Sequence, residues 1–364
     1  MIHSLISVTE STSIERRKNN VIGAVFGQAI GDAIGHPVEF KKTHYVVDLD
    51  IPNQFTDDTQ MFCALGEALI EGKPHEMEDV FMDVLTKKFV EWRTNPLGGN
   101  HRAPGGTCME GVRKLGAKVP WTKSGALNGK GNGTAMRSGV VGAMYWKNPN
   151  YAFRIGALQS GNTHNNLEAI LGGGTVSYLV AAAINGMRFS IAISNVLMLC
   201  SQFLNPSVIA TYPQNVAFND LRKGQSPWKT VAKFGSAFAL GISDIQVGEF
   251  AKFNGDDFSV VPAVSAAIFY NTRFANSGYE QTVLNAANFG DDADTIAAIS
   301  GTIAGARHGV DGIPTSWVEN IEQSEYLRDF SDRLWEASLA ANVTVDNETP
   351  VDTDSLLDMD EIEF

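Results

Sequence analysis

Glycine recurs at every fourth residue near the start of the chain, at Gly23, Gly27, Gly31 and Gly35. At 3.6 residues per helical turn, this spacing places the four glycines on one face and leaves that face without side chains. Glycine in a helix costs about 1 kcal/mol relative to alanine, so the repeat predicts a helix that another helix approaches closely. The same spacing returns late in the chain, at Gly301, Gly305 and Gly309.

Most of the remaining apolar sequence also has helical periodicity. Alanine-rich or amphipathic segments predict helices over residues 79–92, 167–187, 195–204 and 258–270, with Ser194 as the N-cap of the third. Strand-like alternation is scarce, so the sequence predicts an all-α fold, a compact multi-helix bundle. Residues 96–133 are the exception, because they contain ten glycines. We predict that they form a long loop that borders a substrate cleft and is mobile without ligand.

The composition predicts three parts of the chain. A hydrophobic share of 44% is enough for one large core, which we assign to residues 20–343. Residues 1–19 are predicted to be an N-terminal arm, either a disordered leader or a segment that pairs with a partner. Residues 344–364 contain eight acidic and no basic side chains. They predict a disordered acidic tail, with a short docking helix as the alternative.

Charge and cysteine content exclude several classes of protein. The net charge of −13 argues against a nucleic-acid partner, which needs a basic surface. No membrane partner is expected either. The apolar segment 21–40 contains four polar side chains that make it costly to place across a membrane: Gln28, Asp32, His36 and Glu39. Three widely spaced cysteines form neither a disulfide framework nor a zinc spacing and favour a reducing, cytoplasmic location.

Two acidic clusters in the chain resemble each other. Residues 56–58 and 292–295 each combine aspartates with threonine at the start of an apolar helix. One interpretation is a helix N-cap in which the acids offset the helix dipole. Three aspartates within residues 291–294 exceed what a cap uses, and their mutual repulsion favours a bound cation. The oxygen donors suit Mg²⁺, Mn²⁺ or Ca²⁺ rather than zinc, and no cysteine or histidine set competes with them.

Five motifs in order resemble those of the ADP-ribosylglycohydrolase (ADP-ribosylhydrolase) family, of the dinitrogenase-reductase-activating glycohydrolase type. They are the segment 23–35 with Glu39, the segment 55–59, the loop 131–137, the pair Thr163-His164, and the segment 292–295 with its following glycines. Each motif alone is weak, but together they cover residues 20 to about 335. The resemblance implies an all-α hydrolase with a binuclear Mg²⁺ centre, for which Mn²⁺ is the alternative ion.

The resemblance also implies roles for individual residues. Its metal ligands fall on the two acidic clusters: Thr56, Asp57, Asp58, Asp292, Asp294 and Thr295. Its substrate-binding positions fall on the glycine-rich loop and one histidine: Gly131, Asn132, Gly133, Thr134, Met136, Arg137 and His164. The catalytic acid or base would be Asp58, Asp292 or Glu39. For Arg137 and His164 the alternative is an ordinary buried structural residue.

Two features depart from the family pattern: Asp291 stands where members usually have glycine, and Ser138-Gly139 follows Arg137. The expected activity is removal of ADP-ribose from modified protein side chains, with the arginine linkage favoured. One alternative is an immunity protein, or antitoxin, whose N-terminal arm binds and blocks an ADP-ribosyltransferase toxin. The other is an inactive descendant, which the intact acidic clusters argue against.

Overall fold

This computed structural model describes residues 2–41, 54–203, 205–213, 227–255 and 257–341, with side chains from residue 13 onward except at position 206. Within these ranges the regular structure is helical, and Gly131 and Ser259 form an isolated bridge without any sheet. The predicted all-α class is therefore confirmed. The helices are α1 (Ile2–Gly35), α2 (Asp57–Gly72), α3 (Glu78–Thr94), α4 (Gly106–Gly116), α5 (Trp121–Ser124), α6 (Gly139–Met144), α7 (Pro149–Ser160), α8 (Leu167–Ile184), α9 (Phe189–Gln202), α10 (Pro206–Ala210), α11 (Pro227–Ile242), α12 (Val247–Asn254), α13 (Val260–Arg273), α14 (Gly278–Ala287), α15 (Ala293–His308), α16 (Thr315–Asn320) and α17 (Ser324–Ala340).

The predicted glycine-faced helices are α1 and α15, and they pack directly on each other. A Cβ on Gly27 would lie 2.3 Å from the carbonyl oxygen of Gly301, and one on Gly31 would lie 2.2 Å from that of Ala297. Real Cβ atoms do not approach backbone so closely, so both positions require glycine. Gly309 lies beyond α15 as its C-cap, with φ 74°, rather than on the helix face. This contact fixes the start of α15 relative to the end of α1.

Helix α8 forms the centre of the bundle. By length and composition it is the one helix of the described residues that could cross a membrane, but 94% of it is buried inside the protein. It confirms the helix predicted over 167–187, and α3 and α13 likewise confirm the predictions over 79–92 and 258–270.

Two predictions about elements were wrong. The helix placed at 195–204 begins earlier, at Phe189, so Ser194 lies inside it and its hydroxyl donates to the Ser190 carbonyl instead of capping. The stretch 96–133 is not one loop, because it contains α4 and α5. The loop prediction treated the glycines as residues that interrupt helices. Gly111 instead lies within α4, where it allows close packing against the Thr163 backbone.

The N-terminal segment continues α1 in one helix, rather than forming an extended strand. The last turn of the predicted arm contacts the body: Lys18 Nζ lies 2.6 Å from Asp332 Oδ1, and Asn19 Nδ2 donates to Asp311 Oδ2. The predicted tail, 344–364, lies outside the described residues. The division into arm, body and tail stays a prediction.

Candidate metal centre and substrate cavity

Both acidic clusters line one cavity, at the point where α2 and α15 begin. Its floor consists of four buried carboxylates, which we call the acid floor: Asp57, Asp58, Asp292 and Asp294. Thr295 and Glu39 also line the cavity. The two clusters are at least 234 positions apart in the sequence (Asp58 to Asp292), and they meet because α15 packs on α1 beside the start of α2.

Helix capping does not account for these carboxylates. In α2 the cap is Thr56, whose hydroxyl accepts from the Asp58 N–H at 3.4 Å. In α15 the N-cap position is Asp292, and its side chain makes no capping hydrogen bond. Asp292 instead accepts from the Asn132 side-chain amide. Hydrogen bonds at the helix starts therefore explain Thr56 and one oxygen of Asp294, which accepts from the Thr295 N–H at 2.7 Å, and leave the other carboxylates for another role.

Asp32, which the sequence-based site assignment missed, holds the first cluster in place. It is fully buried in α1 and accepts four hydrogen bonds. Thr56 donates its N–H at 2.9 Å and its hydroxyl at 2.8 Å to Oδ1, and Thr59 donates its N–H at 2.9 Å and its hydroxyl at 2.6 Å to Oδ2. The signal was present, since an aspartate beside a glycine-faced stripe in an apolar helix needs a buried partner.

Burial and mutual repulsion raise the pKa values of the acid floor. Burial, followed by the charge of Asp32, raises the pKa of Asp57 to about 8. The pKa of Asp58 lies well above its usual range for the same two reasons. Burial and the charge of Asp58 also raise the pKa of Asp294 well above its ordinary value. Carboxylates crowded in this way are unfavourable as anions unless a positive charge joins them.

The residues of the acid floor fit a divalent cation. Asp58 Oδ2 is buried and has no hydrogen-bond partner among the residues that the structure describes. A buried carboxylate oxygen without a partner carries a large desolvation cost, which a cation would offset. Carboxylate and hydroxyl oxygens are the donors that hard divalent ions prefer. His36, Glu39 and Asp294 also place ligand atoms within 4.8 Å of one another, which makes a possible metal-binding group.

The predicted glycine-rich loop forms one wall of the cavity. Gly131, Asn132, Gly133 and Met136 line it, and the Asn132 N–H donates to the Phe258 carbonyl at 3.1 Å. Gly133 lies so close to the Cys108 thiol that a Cβ there would be 2.4 Å from the sulfur. Two of the four residues in this wall are glycines, which leave backbone accessible to phosphate oxygens.

His164 lies beneath this loop and also lines the cavity. Its Nδ1 is 2.9 Å from the Thr163 hydroxyl, and burial lowers the pKa of the imidazole to about 3. The ring is therefore neutral near pH 7. A neutral imidazole serves as a hydrogen-bond donor or acceptor for a ligand, not as a charge.

Three predicted site residues do not line the cavity. The fully buried Arg137 donates to Gln159 Oε1 at 2.7 Å and to the Thr163 hydroxyl at 2.9 Å, so its guanidinium does not reach a substrate phosphate. The Thr134 hydroxyl donates to the Ala169 carbonyl. The Thr56 hydroxyl lies behind the acid floor, where it donates to Asp32 and lies 3.4 Å from Asp294 Oδ2.

Several cavity residues were not predicted from sequence. Phe40 and Phe258, which we call the rim, are both exposed at the mouth, with ring centroids 6.0 Å apart in an edge-to-face pair. The remaining lining residues come from the loop before α4 and its first turn, within the stretch 96–133 that was predicted to border a substrate cleft: Ala103, Gly105, Gly106, Thr107 and Cys108.

The unusual aspartate at position 291 has a backbone role. Its φ of 53° lies in the left-handed region, which glycine adopts more readily than other residues. Its carbonyl accepts from the Phe40 N–H at 2.5 Å, which ties the segment after α1 to the start of α15. Asp291 does not itself line the cavity.

The comparisons with known proteins agree with this geometry. A family model for ADP-ribosylglycohydrolases matches residues 13–342. The chain belongs to the ADP-ribosylglycohydrolase family. As a member it is an enzyme of the ADP-ribosyl glycohydrolase class, and each of the five motifs contributes at least one residue to the cavity lining.

Individual relatives are distant but cover most of the chain. The ADP-ribosylarginine hydrolase Tri1 of Serratia proteamaculans is 25% identical and aligns over 90% of this chain and 81% of its own. The ADP-ribosyl-[dinitrogen reductase] glycohydrolase of Rhodospirillum rubrum is also 25% identical, over 84% of this chain and 90% of its own. Equal identity to both means that the comparisons favour no particular type within the family.

A solved structure confirms the fold. An ADP-ribosylglycohydrolase-related protein complex has a TM-score of 0.60 at 21% identity, and the match covers 89% of this chain and 99% of that one. At this identity the likeness supports the arrangement of helices and not the chemistry of particular side chains.

Proposed function

We propose that the chain hydrolyses the bond between ADP-ribose and the arginine side chains of modified proteins, with two Mg²⁺ ions held by the acid floor. The observation that carries the proposal is the meeting of two aspartate clusters in one cavity beside the glycine-rich loop. The arginine linkage is proposed because two of the relatives are named ADP-ribosylarginine hydrolases.

The cavity offers a place for each part of ADP-ribose. The backbone of residues 131–133 suits the diphosphate, and the neutral His164 ring lies next to it. The acid floor suits the distal ribose. There, bound divalent ions would supply the positive charge that orders ribose hydroxyls and water. The proposed metal ligands are the six oxygen-bearing residues predicted from sequence, of which Thr56 lies behind the floor.

Cleavage of the glycosidic bond develops positive charge at the anomeric carbon, which nearby carboxylates stabilise. The electrons of the broken C–N bond leave with the arginine nitrogen, so the departing neutral guanidine gains a proton and the attacking water loses one. Glu39, Asp58 and Asp292 line the cavity and are the candidates for these proton transfers. Among these three candidates, Asp58 alone has a buried carboxylate oxygen, Oδ2, that lacks a partner in the described residues, so we favour Asp58 as the group that positions the attacking water.

The assay that tests this function compares substrates that differ only in linkage. Free ADP-ribose is measured after incubation with arginine-linked, serine-linked and DNA-linked ADP-ribose, with Mg²⁺ and after chelation. We expect ADP-ribose to be released from the arginine-linked protein, and we expect this release to stop when Mg²⁺ is chelated. Asp57→Asn should abolish it, whereas the matched surface variant Asp83→Asn, on the exposed side of α3, should not. Release only from another linkage would contradict the arginine assignment, and no release from any would contradict the function.

The immunity role remains a separate proposal, since its support is the sequence of the arm alone. Lys18 and Asn19 already contact the body, so a toxin-binding surface would have to lie before them. Deletion of residues 1–16 should then leave hydrolysis intact and weaken binding to a candidate ADP-ribosyltransferase. Unchanged binding would exclude the arm as the binding segment. A cytoplasmic location is likewise proposed from the three unpaired buried cysteines.

A further inference from the structure

We infer that His36 supplies a nitrogen ligand to the metal centre, so that one ion position prefers a divalent transition metal to Mg²⁺. The inference rests on the proposed function, because it assumes that the acid floor holds metal ions. It differs from the sequence-based expectation, in which the ligands were oxygen atoms only. His36 appeared there merely as one of four polar residues in an apolar stretch.

Local backbone geometry places His36 beside Glu39. After α1 ends, residues His36–Val38 form a 3₁₀ turn with proline at position 37, and the Glu39 N–H donates to the His36 carbonyl at 3.3 Å. In such a turn, side chains three residues apart point the same way. His36 Nδ1 accordingly lies 3.6 Å from Glu39 Oε2. A residue without an imidazole at position 36 would leave Glu39 as the only ligand from this turn.

Close backbone contacts bring this pair to Asp294. A Cβ on Gly35 would lie 2.4 Å from the Asp294 Cα, so the end of α1 is in direct contact with the start of α15. The hydrogen bond from the Phe40 N–H to the Asp291 carbonyl fixes the other side of the turn. The outcome is that one ligand atom each of His36, Glu39 and Asp294 lies within 4.8 Å of the other two.

The hydrogen bonding and burial of these three side chains are compatible with a bound cation. His36 Nδ1 makes no hydrogen bond among the described residues, and its charged partner is the Glu39 carboxylate at 3.6 Å, which forms an ion pair only when the ring is protonated. A bound metal ion would take the place of that proton. Asp294 is 4% exposed, the Glu39 side chain 11% and the His36 side chain 34%, so the group extends from the interior to the edge of the protein.

Asp58 is an independent sign of an ion at the same place. It is 3% exposed, it lines the same cavity as Glu39 and Asp294, and its Oδ2 has no partner among the described residues.

Ligand chemistry sets the preference. Mg²⁺ binds oxygen and retains its waters, whereas imidazole nitrogen favours first-row transition metals. One imidazole with two carboxylates is therefore a better site for Mn²⁺, Fe²⁺ or Zn²⁺ than for Mg²⁺. The remaining carboxylates of the acid floor form the oxygen-only position, which suits Mg²⁺.

The test uses Mn²⁺ as a spectroscopic probe of the full-length protein. Electron spin echo modulation of bound Mn²⁺ should show coupling to ¹⁴N in the wild type. His36→Ala should lose this coupling and weaken Mn²⁺ binding by about 10- to 100-fold, while Mg²⁺ binding changes less. His164→Ala is the control, because it removes the imidazole that lines the cavity, and it should keep the coupling.

Each alternative outcome decides the inference. Bound Mn²⁺ without nitrogen coupling in the wild type would overturn it, as would coupling that survives in His36→Ala and disappears in His164→Ala. Both results would leave the proposed hydrolysis intact, since release of ADP-ribose is measured separately. Conversely, a His36-dependent nitrogen signal in a protein that releases no ADP-ribose with any metal would support the ligand and contradict the function.

Discussion

The acid floor and the rim of the cavity are built in opposite ways. The four carboxylates of the floor are at most 8% exposed, whereas Phe40 and Phe258 at the rim are 59% and 61% exposed. Helix starts and buried hydrogen bonds hold the floor, while the rim residues lie in connecting segments. A site can thus be rigid where charge must be placed and open where a substrate enters.

Because of this difference, the acid floor and the rim are expected to have different functions. Charges in a buried, fixed position interact strongly, because little water screens them and no reorganisation is needed. Exposed aromatic rings contribute contact area and tolerate variation in what they touch. Changes to the floor should therefore remove chemistry, whereas changes at the rim should adjust binding.

The largest expected effect is removal of a floor carboxylate. Asp294→Asn keeps the size of the side chain but removes the charge from a position between Asp58 and Asp292. We expect metal-dependent release of ADP-ribose to fall by more than about 100-fold, beyond the usual cost of losing an outer partner of a metal site. Turnover is measured at saturating Mg²⁺. Retention of a tenth of the activity would show that the floor does not carry the chemistry.

The next effect concerns the support of the floor. Asp32→Ala would leave four donors of Thr56 and Thr59 without an acceptor. The metal affinity of Asp32→Ala should fall by about 10- to 100-fold. The affinity of Asp32→Asn, which keeps one acceptor oxygen, should fall less. Competition against a fluorescent chelator measures both. Unchanged affinity in a folded Asp32→Ala variant would mean that Asp32 serves stability alone.

A third effect is a dependence of metal-free stability on pH. Burial and neighbouring charge raise the pKa of Asp57 from 3.8 to about 8. The folded state therefore binds more protons than the unfolded state between these values, and stability falls as pH rises towards about 8. In chelator, the melting temperature should be lower at pH 8.5 than at pH 5.5.

Two controls isolate the cause of that pH dependence. Asp57→Asn should reduce the slope, because the amide does not ionise, and saturating Mg²⁺ should abolish or reverse it. A metal-free melting temperature that rises with pH would contradict the raised pKa of Asp57.

The smallest effect belongs to the rim. Phe258→Ala removes the edge-to-face partner of Phe40 at the mouth. Loss of about 1 kcal/mol of contact should raise KM roughly fivefold with little change in kcat. Steady-state kinetics separate the two constants. A loss of kcat as large as that of Asp294→Asn would place Phe258 in the chemistry and remove the distinction between floor and rim.

Sequence patterns predicted the parts of the molecule that local spacing determines. The four-residue glycine repeat fixed the α1–α15 contact, and the paired aspartates located the floor. The surroundings depend on tertiary contacts that spacing does not show. The resemblance implied a substrate-binding role for Arg137, with a buried structural role as the alternative, and its guanidinium donates to Gln159 and Thr163. Phe258 reached the cavity only through its pairing with the distant loop at Asn132.

The central claim is that the acid floor holds a pair of divalent ions. Equilibrium dialysis of metal-free protein against Mn²⁺ tests it most directly, since it counts bound ions without reference to any substrate. The account predicts two ions per chain in the wild type and in the surface variant Asp83→Asn, and a loss of binding in a variant that carries both Asp57→Asn and Asp294→Asn. Binding of no ion by the folded wild type, or equal binding by the double variant, would contradict it.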